Sequence, residues 1–189
     1  MGVPRIDTGP MTVDEFYAFT DTRPDEEKWE LIDGEPVLNA SPSPLHQRIL
    51  KNLVIALGNR ERDGGGVWEV LPGLGVLVSD AKRPEPDLLI VPNSIDLARR
   101  DVDNVIVAFE IMSPSTASRD LKWKRAAYTS LRSLTHYVVI AQDMVDVVVF
   151  ARDAGFSEQR LKATEAILNL SSVGVSLPLA EIYRDTGLA

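Results

Sequence analysis

The sequence predicts one α/β domain, a sheet of buried strands covered by amphipathic helices. Three observations predict it. Val105-Ile-Val-Ala-Phe, Tyr137 to Ile140 and Val145 to Phe150 are continuous apolar runs of strand length, without the polar alternation of a strand that has one face in water. Two stretches, beginning at Ser43 and Asp120, space their apolar residues at helical intervals. The chain is 189 residues long with 44% apolar residues, enough for one core, and it carries no internal repeat, low-complexity tract or linker. Residues 1–189 are therefore read as a single domain. Its first ten residues, with two prolines and two glycines, are read as a flexible lead-in.

The elements follow in order. Thr12-Val-Asp-Glu15 is a capping box, in which the threonine and glutamate side chains each satisfy a backbone amide at a helix start; a short helix to about Phe19 follows. Residues 21–28 form a polar, acidic loop. Trp29-Glu-Leu-Ile and Glu35-Pro-Val-Leu-Asn read as strands joined by Asp33-Gly34, residues suited to the positive φ angles of a tight hairpin. Ser43-Pro44 opens a longer helix, with serine as cap and proline where its missing amide costs nothing. Leu45, Ile49, Leu53 and Leu57 form its inner stripe, flanked by Leu50 and Val54, and Gly64-Gly-Gly ends it. Strands are expected at Val67–Leu71, Val76–Ser79, Asp87–Val91 and Asn104–Met112, separated by proline and glycine. A helix from Asp120 to Leu131 leads to the strands Tyr137–Ile140 and Val145–Phe150, which turn at Gln142-Asp143. Beyond them the pattern supports short strands near Leu161 and Ile167 and a helical turn at Leu179–Tyr183.

Composition excludes several classes. Without cysteine there is neither a disulfide nor a thiolate metal site, and two histidines cannot build a histidine-rich centre. No apolar run approaches the ~18 residues that span a bilayer, so a cytoplasmic protein without a membrane partner is expected. The net charge of −8 argues against nucleic acid as a partner, but it is unevenly placed. Residues 14–35 hold nine acids against two bases, which leaves about −1 on the rest. Between Arg119 and Arg132 the balance reverses, with Arg119, Lys122, Lys124, Arg125 and Arg132 against Asp120. Such a run is a solvated helix face or a phosphate-contacting one.

The chemistry concentrates between Arg83 and Tyr128. Two apolar runs each carry one acid: Asp87 opens D-L-L-I-V within R-P-E-P-D-L-L-I-V-P, and Glu110 lies near the end of V-I-V-A-F-E-I-M. An ionised carboxylate in such a run must leave water, and buried charges are paired or bound to metal. Glu110 therefore either pairs with a nearby arginine at the strand end or holds a cation. Asp87 alone would be an ordinary strand entry; its weight comes from Glu110 as an expected neighbour. On the helix that follows, Leu121, Lys124, Tyr128 and Leu131 share one stripe by steps of three, four and three, whereas Lys122 and Arg125 fall on the other side. A lysine in an apolar stripe needs a carboxylate or ligand to reach; an Asp120–Lys124 pair would not require the inward position. Mg²⁺ takes one or two carboxylates plus waters and substrate phosphate. It polarises that phosphate and acidifies a water, while a lysine offsets the charge that develops. Ser113-Pro-Ser-Thr116 lacks a G-x-S-x-G setting for a nucleophile, and Gly64–Gly66 lacks the Lys-Ser/Thr of a phosphate loop.

These residues resemble the PD-(D/E)XK nuclease superfamily. Five motifs in order, W-E-L-I-D-G-E at 29–35, S-P-S-P-L-H-Q at 41–47, P-D-L-L-I-V at 86–91, E-I-M-S-P-S-T at 110–116 and D-L-K-W-K-R-A-A-Y at 120–128, are similar to those of the bacterial Uma-two family of restriction-endonuclease-like proteins. The resemblance covers roughly Met11 to Phe150. It implies a restriction-endonuclease-like fold, a central mixed β-sheet flanked by helices, with a Mg²⁺ or Mn²⁺ site at its strand ends. The superfamily's usual E-x-K would put lysine where this chain has Met112, and the Uma-two pattern supplies it from the following helix as Lys124. Glu30 matches the family's early glutamate, which implies a part in holding metal or its waters; a partner for Lys28 or a solvated hairpin residue is the other reading. His46 matches the family's helix histidine, with a capping or packing role as the alternative to a catalytic one.

The expected function is a Mg²⁺- or Mn²⁺-dependent DNA endonuclease. Asp87 and Glu110 would be metal ligands with the Ile111 carbonyl as a third, Lys124 the catalytic lysine, and Lys122, Arg125 and Arg119 the contacts to DNA. A catalytically inactive nuclease-fold protein that binds nucleic acid or a partner is the alternative. Cutting both strands of a duplex needs two sites related by its symmetry, so a homodimer is expected.

Overall fold

The computed structural model describes residues 9–112 and 119–188. The capping box forms as its chemistry requires: Thr12 Oγ1 accepts the Glu15 amide at 3.3 Å, and the Glu15 carboxylate accepts the Thr12 amide at 2.8 Å. Helix α1 (Val13–Thr20) leads into a hairpin of β1 (Trp29–Ile32) and β2 (Glu35–Leu38). At its turn Asp33 and Gly34 have φ of 51° and 83°, both positive as a two-residue hairpin loop demands. Ser43 caps α2 (Pro44–Asp63), its Oγ accepting the His46 amide at 3.1 Å, and Gly64 closes the helix.

The strands β3 (Trp68–Pro72), β4 (Gly75–Val76), β5 (Leu88–Pro92), β6 (Asp101–Val102) and β7 (Val107–Met112) precede α3 (Arg119–Thr129). Then come β8 (His136–Ala141), β9 (Val147–Ala151), β10 (Glu158–Leu161), β11 (Ile167–Leu170), β12 (Val175–Pro178) and α4 (Leu179–Ile182). Six of these build the central sheet in the order β10-β9-β8-β7-β5-β3. The pair β7–β8 is parallel and the other neighbours are antiparallel, so the sheet is mixed and helix-flanked as expected. A parallel pair needs a crossover, and α3 lies in that connection.

Alternation along the buried strands sorts side chains between two faces. Val107, Phe109 and Ile111 join Leu88, Ile90, Val138 and Ile140 against α2, α4 and the β11–β12 hairpin. Ala108 and Met112 join Leu89, Val91, Tyr137 and Val139 against Tyr128 of α3 and Leu131 just beyond its end. A third cluster, Val13, Phe16, Trp29 and Leu31, packs α1 on β1. The hairpin is tied to the segment before β5 because Leu31 and Arg83 exchange both backbone hydrogen bonds, at 3.1 and 2.9 Å. That tether carries β1 to the edge of the α3 face.

Three stretches depart from expectation. The strand anticipated at Val76–Ser79 is only two residues long, because the amides beyond it turn to Val102 and Lys82 instead of a continuous ladder. Neither β6 nor β12 was anticipated. The flexible lead-in and Ser113–Ser118 fall largely or wholly outside the described residues. No helix among the described residues is long and apolar enough to cross a membrane.

Gly75 shows how closely the parts fit. A Cβ built there would stand 2.0 Å from the Arg83 guanidinium carbon. That side chain cannot simply swing aside, since Nε donates to Tyr17 Oη at 3.2 Å and Nη2 to the Arg100 carbonyl at 3.2 Å. Gly75→Ala is therefore expected to destabilise the fold by about 1–3 kcal/mol. Denaturant unfolding with an unchanged midpoint would contradict this.

Candidate active site

The site begins with the register of β5 on β7. Leu88 stands opposite Phe109, so the next pair outward is Asp87 and Glu110. Alternation places both carboxylates on the α3 face. The Ile111 amide donates to Asp87 Oδ2 at 2.7 Å, fixing the aspartate across the end of the ladder. Asp87 N donates to the Phe109 carbonyl and Gln142 N to that of Met112, so alternation turns the Ile111 carbonyl to the Asp87 side.

Helix α3 supplies the cation. Lys124 is 9% exposed and Glu110 6%, so neither meets its partner through bulk water. Lys124 Nζ donates to Glu110 Oε1 at 2.9 Å and stands 3.0 Å from Glu30 Oε1. Tyr128 Oη donates to the same Glu110 oxygen at 2.9 Å. The stripe Leu121, Lys124, Tyr128 and Leu131 thus faces the sheet, while Lys122 is exposed. Glu30, 1% exposed, is fixed by the Glu85 amide, which donates to its Oε1 at 2.7 Å. The partner of Glu110 is a lysine and a tyrosine, not a strand-end arginine.

From the opposite side, α2 brings His46, whose Nε2 is 3.2 Å from Asp87 Oδ1. The His46 ring nitrogen Nδ1 is buried and lacks a partner among the described residues. His46 is thus both a first-turn residue, its amide taken by the Ser43 cap, and a neighbour of the aspartate. A cleft of about 520 Å³ opens between these elements, lined among others by Lys28, His46, Asp87, Glu110, Lys124 and Gln142.

The electrostatics follow from burial and an excess of acids. Burial raises the Glu110 carboxyl to about 7 against the pull of Lys124, and the Asp87 and Glu30 charges add to the rise. Burial would lower Lys124, but Glu110 and Glu30 outweigh it and hold the ammonium well above its ordinary value. Burial also pushes Asp87 up; the hydrogen bond and charge of His46, the Ile111 amide and Lys28 more than reverse this, and its carboxyl ends below the usual range. Burial and the same acids raise the Tyr128 hydroxyl well above its ordinary value, keeping it a donor.

Glu30, Glu85, Asp87 and Glu110 outnumber the ammonium groups of Lys28 and Lys124 at this site, an excess of acids that suits a cation. Among the described residues no three acids or histidines are grouped to enclose a metal ion. That is not what Mg²⁺ requires: one or two carboxylates, with waters and substrate phosphate oxygens, form its usual shell. Asp87, Glu110 and the Ile111 carbonyl fit such a site.

The structure therefore brings Glu30, His46, Asp87, Glu110 and Lys124 together. The proposed DNA contacts are dispersed. Lys122 is exposed on the far side of α3. The Arg125 guanidinium donates to the Phe156 carbonyl at 2.7 Å and lies 4.3 Å from the Phe150 ring, so it is engaged within the fold. The side chain of Arg119 lies outside the described residues, as does that of Asp120. Sequence reasoning missed Lys28, Glu85 and the role of Tyr128. Lys28 pairs with Glu85 and Asp87 at 3.6 and 3.9 Å instead of with Glu30. Glu85 was accessible from spacing, since it stands two residues before Asp87 and so on the same side of an extended chain.

Comparison with known proteins identifies a family and a fold. The family profile Uma2, described as "Putative restriction endonuclease", matches residues 13–180. A solved structure titled as a putative nuclease belonging to DUF820, from Anabaena variabilis ATCC 29413, superposes with a TM-score of 0.72 at 16% identity. The match covers 92% of this chain and 98% of that one, a likeness of fold. Neurobeachin from Gallus gallus is 32% identical over 146 residues, 70% of this chain but 16% of that protein, so the chain spans under a fifth of that relative.

Proposed function

We propose that this chain, which belongs to the Uma2 family described as "Putative restriction endonuclease", is a nuclease that cleaves DNA phosphodiester bonds with Mg²⁺ or Mn²⁺. The observation that carries the reading is the buried contact of Lys124 Nζ with Glu110 Oε1 at 2.9 Å, at the wall of a cleft that also holds Asp87. A structural ion pair alone would not call for two further acids, Glu30 and Asp87, beside it.

Asp87 and Glu110, with the Ile111 carbonyl, would hold the ion, which when bound supplies polarisation of the phosphate and a more acidic water. The chain's own groups do the rest. Lys124 stays protonated between Glu110 and Glu30, so its charge is available against the negative charge that grows on the phosphate oxygens. Glu30 sets where that ammonium stands, and the Glu85 amide sets where Glu30 stands. Tyr128 fixes the Glu110 oxygen from the core side. His46 orients the Asp87 carboxylate against the Ile111 amide.

The test is plasmid cleavage. The protein is expected to nick or cut DNA with Mg²⁺ or Mn²⁺ and to stop in chelator. Glu110→Gln keeps the shape and removes the charge, so it is expected to abolish cleavage while circular dichroism stays native. A Glu110→Gln protein that cuts like the wild type sinks the assignment.

A further inference from the structure

Lys124 is buried between Glu30 and Glu110, so its charge acts on the reacting phosphate inside the cleft and does not reach the neighbouring phosphates of a strand that runs out of it. The cleft has a second lysine. Lys28 lies in the loop before β1, at the Asp87 end of the cleft, with its side chain 35% exposed. Its Nζ stands 3.6 Å from Glu85 Oε1 and 3.9 Å from Asp87 Oδ1. Both distances exceed the ~2.7–2.9 Å of a charge-assisted hydrogen bond, so the ammonium is attracted by the two acids without being clamped by either.

Its position is also a boundary. Lys28 and Glu85 line both the 520 Å³ cleft and a second cavity of about 390 Å³, whose walls include Tyr17, Trp29, Arg83 and Arg100. A polymer leaving the cleft at this end passes the Lys28 ammonium. The second cavity is an unfavourable seat for phosphate by itself, because Asp25, Glu26, Glu27 and Glu85 offset its three cations. The cationic point on that path is Lys28 at the shared wall.

We propose that Lys28 is the substrate-positioning lysine of this site, releasing Glu85 and Asp87 to contact the phosphate backbone of the bound strand. The proposal rests on the nuclease reading above. Once Asp87 is committed to a cation, its hold on the Lys28 ammonium weakens, and a substrate phosphate becomes the stronger partner. Lys28 would thus act on binding, whereas Lys124 acts on the reaction.

The test compares Lys28→Ala and Lys28→Arg with the wild type in two assays. In the first, DNA binding is measured across a salt series with Ca²⁺ in place of Mg²⁺, a hard cation for the same oxygen ligands, with uncut DNA verified on a gel. Lys28→Ala is expected to weaken binding and to lower the slope of log Kd against log salt by about 0.7–0.9, one phosphate contact. Lys28→Arg should restore both, since it keeps the charge. In the second, cleavage kinetics with Mg²⁺ should show the loss in KM, about tenfold, more than in kcat. If the wild type binds and cleaves DNA but Lys28→Ala keeps its KM and salt slope, or loses only kcat, the positioning role is wrong and the nuclease reading stands. If the wild type neither binds nor cleaves DNA, both fall together.

Discussion

Lys124→Ala is expected to slow metal-dependent DNA cleavage by about two to three orders of magnitude, the scale on which a single stabilising donor acts at a reacting centre. Lys122→Ala, two residues away, should mainly weaken DNA binding, and less so as salt rises. The contrast follows from the helix. Positions two apart on α3 point to nearly opposite sides, and the structure buries Lys124 against Glu110 and Glu30 while leaving Lys122 exposed. Removing one member of a buried ion pair can cost about 3–5 kcal/mol of stability, so a rate loss through unfolding must be separated from one through chemistry. Glu110 has an escape: its carboxyl already titrates near 7, and without Lys124 it takes up a proton and becomes neutral. Lys124→Ala should thus stay folded at pH 6–7, where circular dichroism can check it and cleavage can be compared. If Lys122→Ala were the slow variant and Lys124→Ala bound DNA poorly but reacted normally, the assignment of the two lysines would be reversed.

The second large effect is on stability against pH in the metal-free protein. The Glu110 carboxyl is raised from its ordinary 4.5 to about 7 on folding, chiefly by burial. A raised carboxyl means that the folded chain holds a proton the unfolded chain has already released. Its contribution is therefore fully present below about 4.5, falls as pH rises towards about 7, and does not change further above that. The span corresponds to a loss on the order of 3 kcal/mol. Asp87 works in the opposite sense in a separate window, because its lowered carboxyl contributes stability above its ordinary 3.8 that is lost only in stronger acid. Glu110→Gln imitates the protonated form at every pH and should flatten the decline between 4.5 and 7, leaving the variant more stable than the wild type at pH 8. Chemical unfolding at a series of pH values measures this directly. Parallel curves for the two proteins would show that Glu110 ionises in the fold as easily as in water. Added Mg²⁺ should rescue the wild type at pH 8 and not the variant, since the ion stabilises the ionised carboxylate that the variant lacks.

Much of this was determined by the sequence alone, because it depended on neighbours close along the chain. The capping box at Thr12, the Asp33-Gly34 turn, the Ser43-Pro44 helix start and the α3 stripe each need only a few consecutive residues, and each forms where it was expected. The α/β class and the family were legible for the same reason: five short motifs and the apolar strands lie intact in the order read. That Asp87 and Glu110 share a face came from the register of β5 on β7, which the structure supplies. What only the tertiary structure decided is which strands are neighbours and which distant side chain completes a charge. The two-residue strand at Asp101–Val102 exists through its pairing with β4, and the strand Val175–Pro178 through its pairing with β11. The joining of Glu30 to Lys124, of His46 to Asp87 and of Lys28 to the Glu85–Asp87 side follows from the hairpin's tether to Arg83 and the packing of α2 on the sheet. Local propensities repeat every two or 3.6 residues and carry no record of such long-range approach. It is decided by how buried faces find one another, and a charge inside that packing must then meet whatever partner the fold delivers.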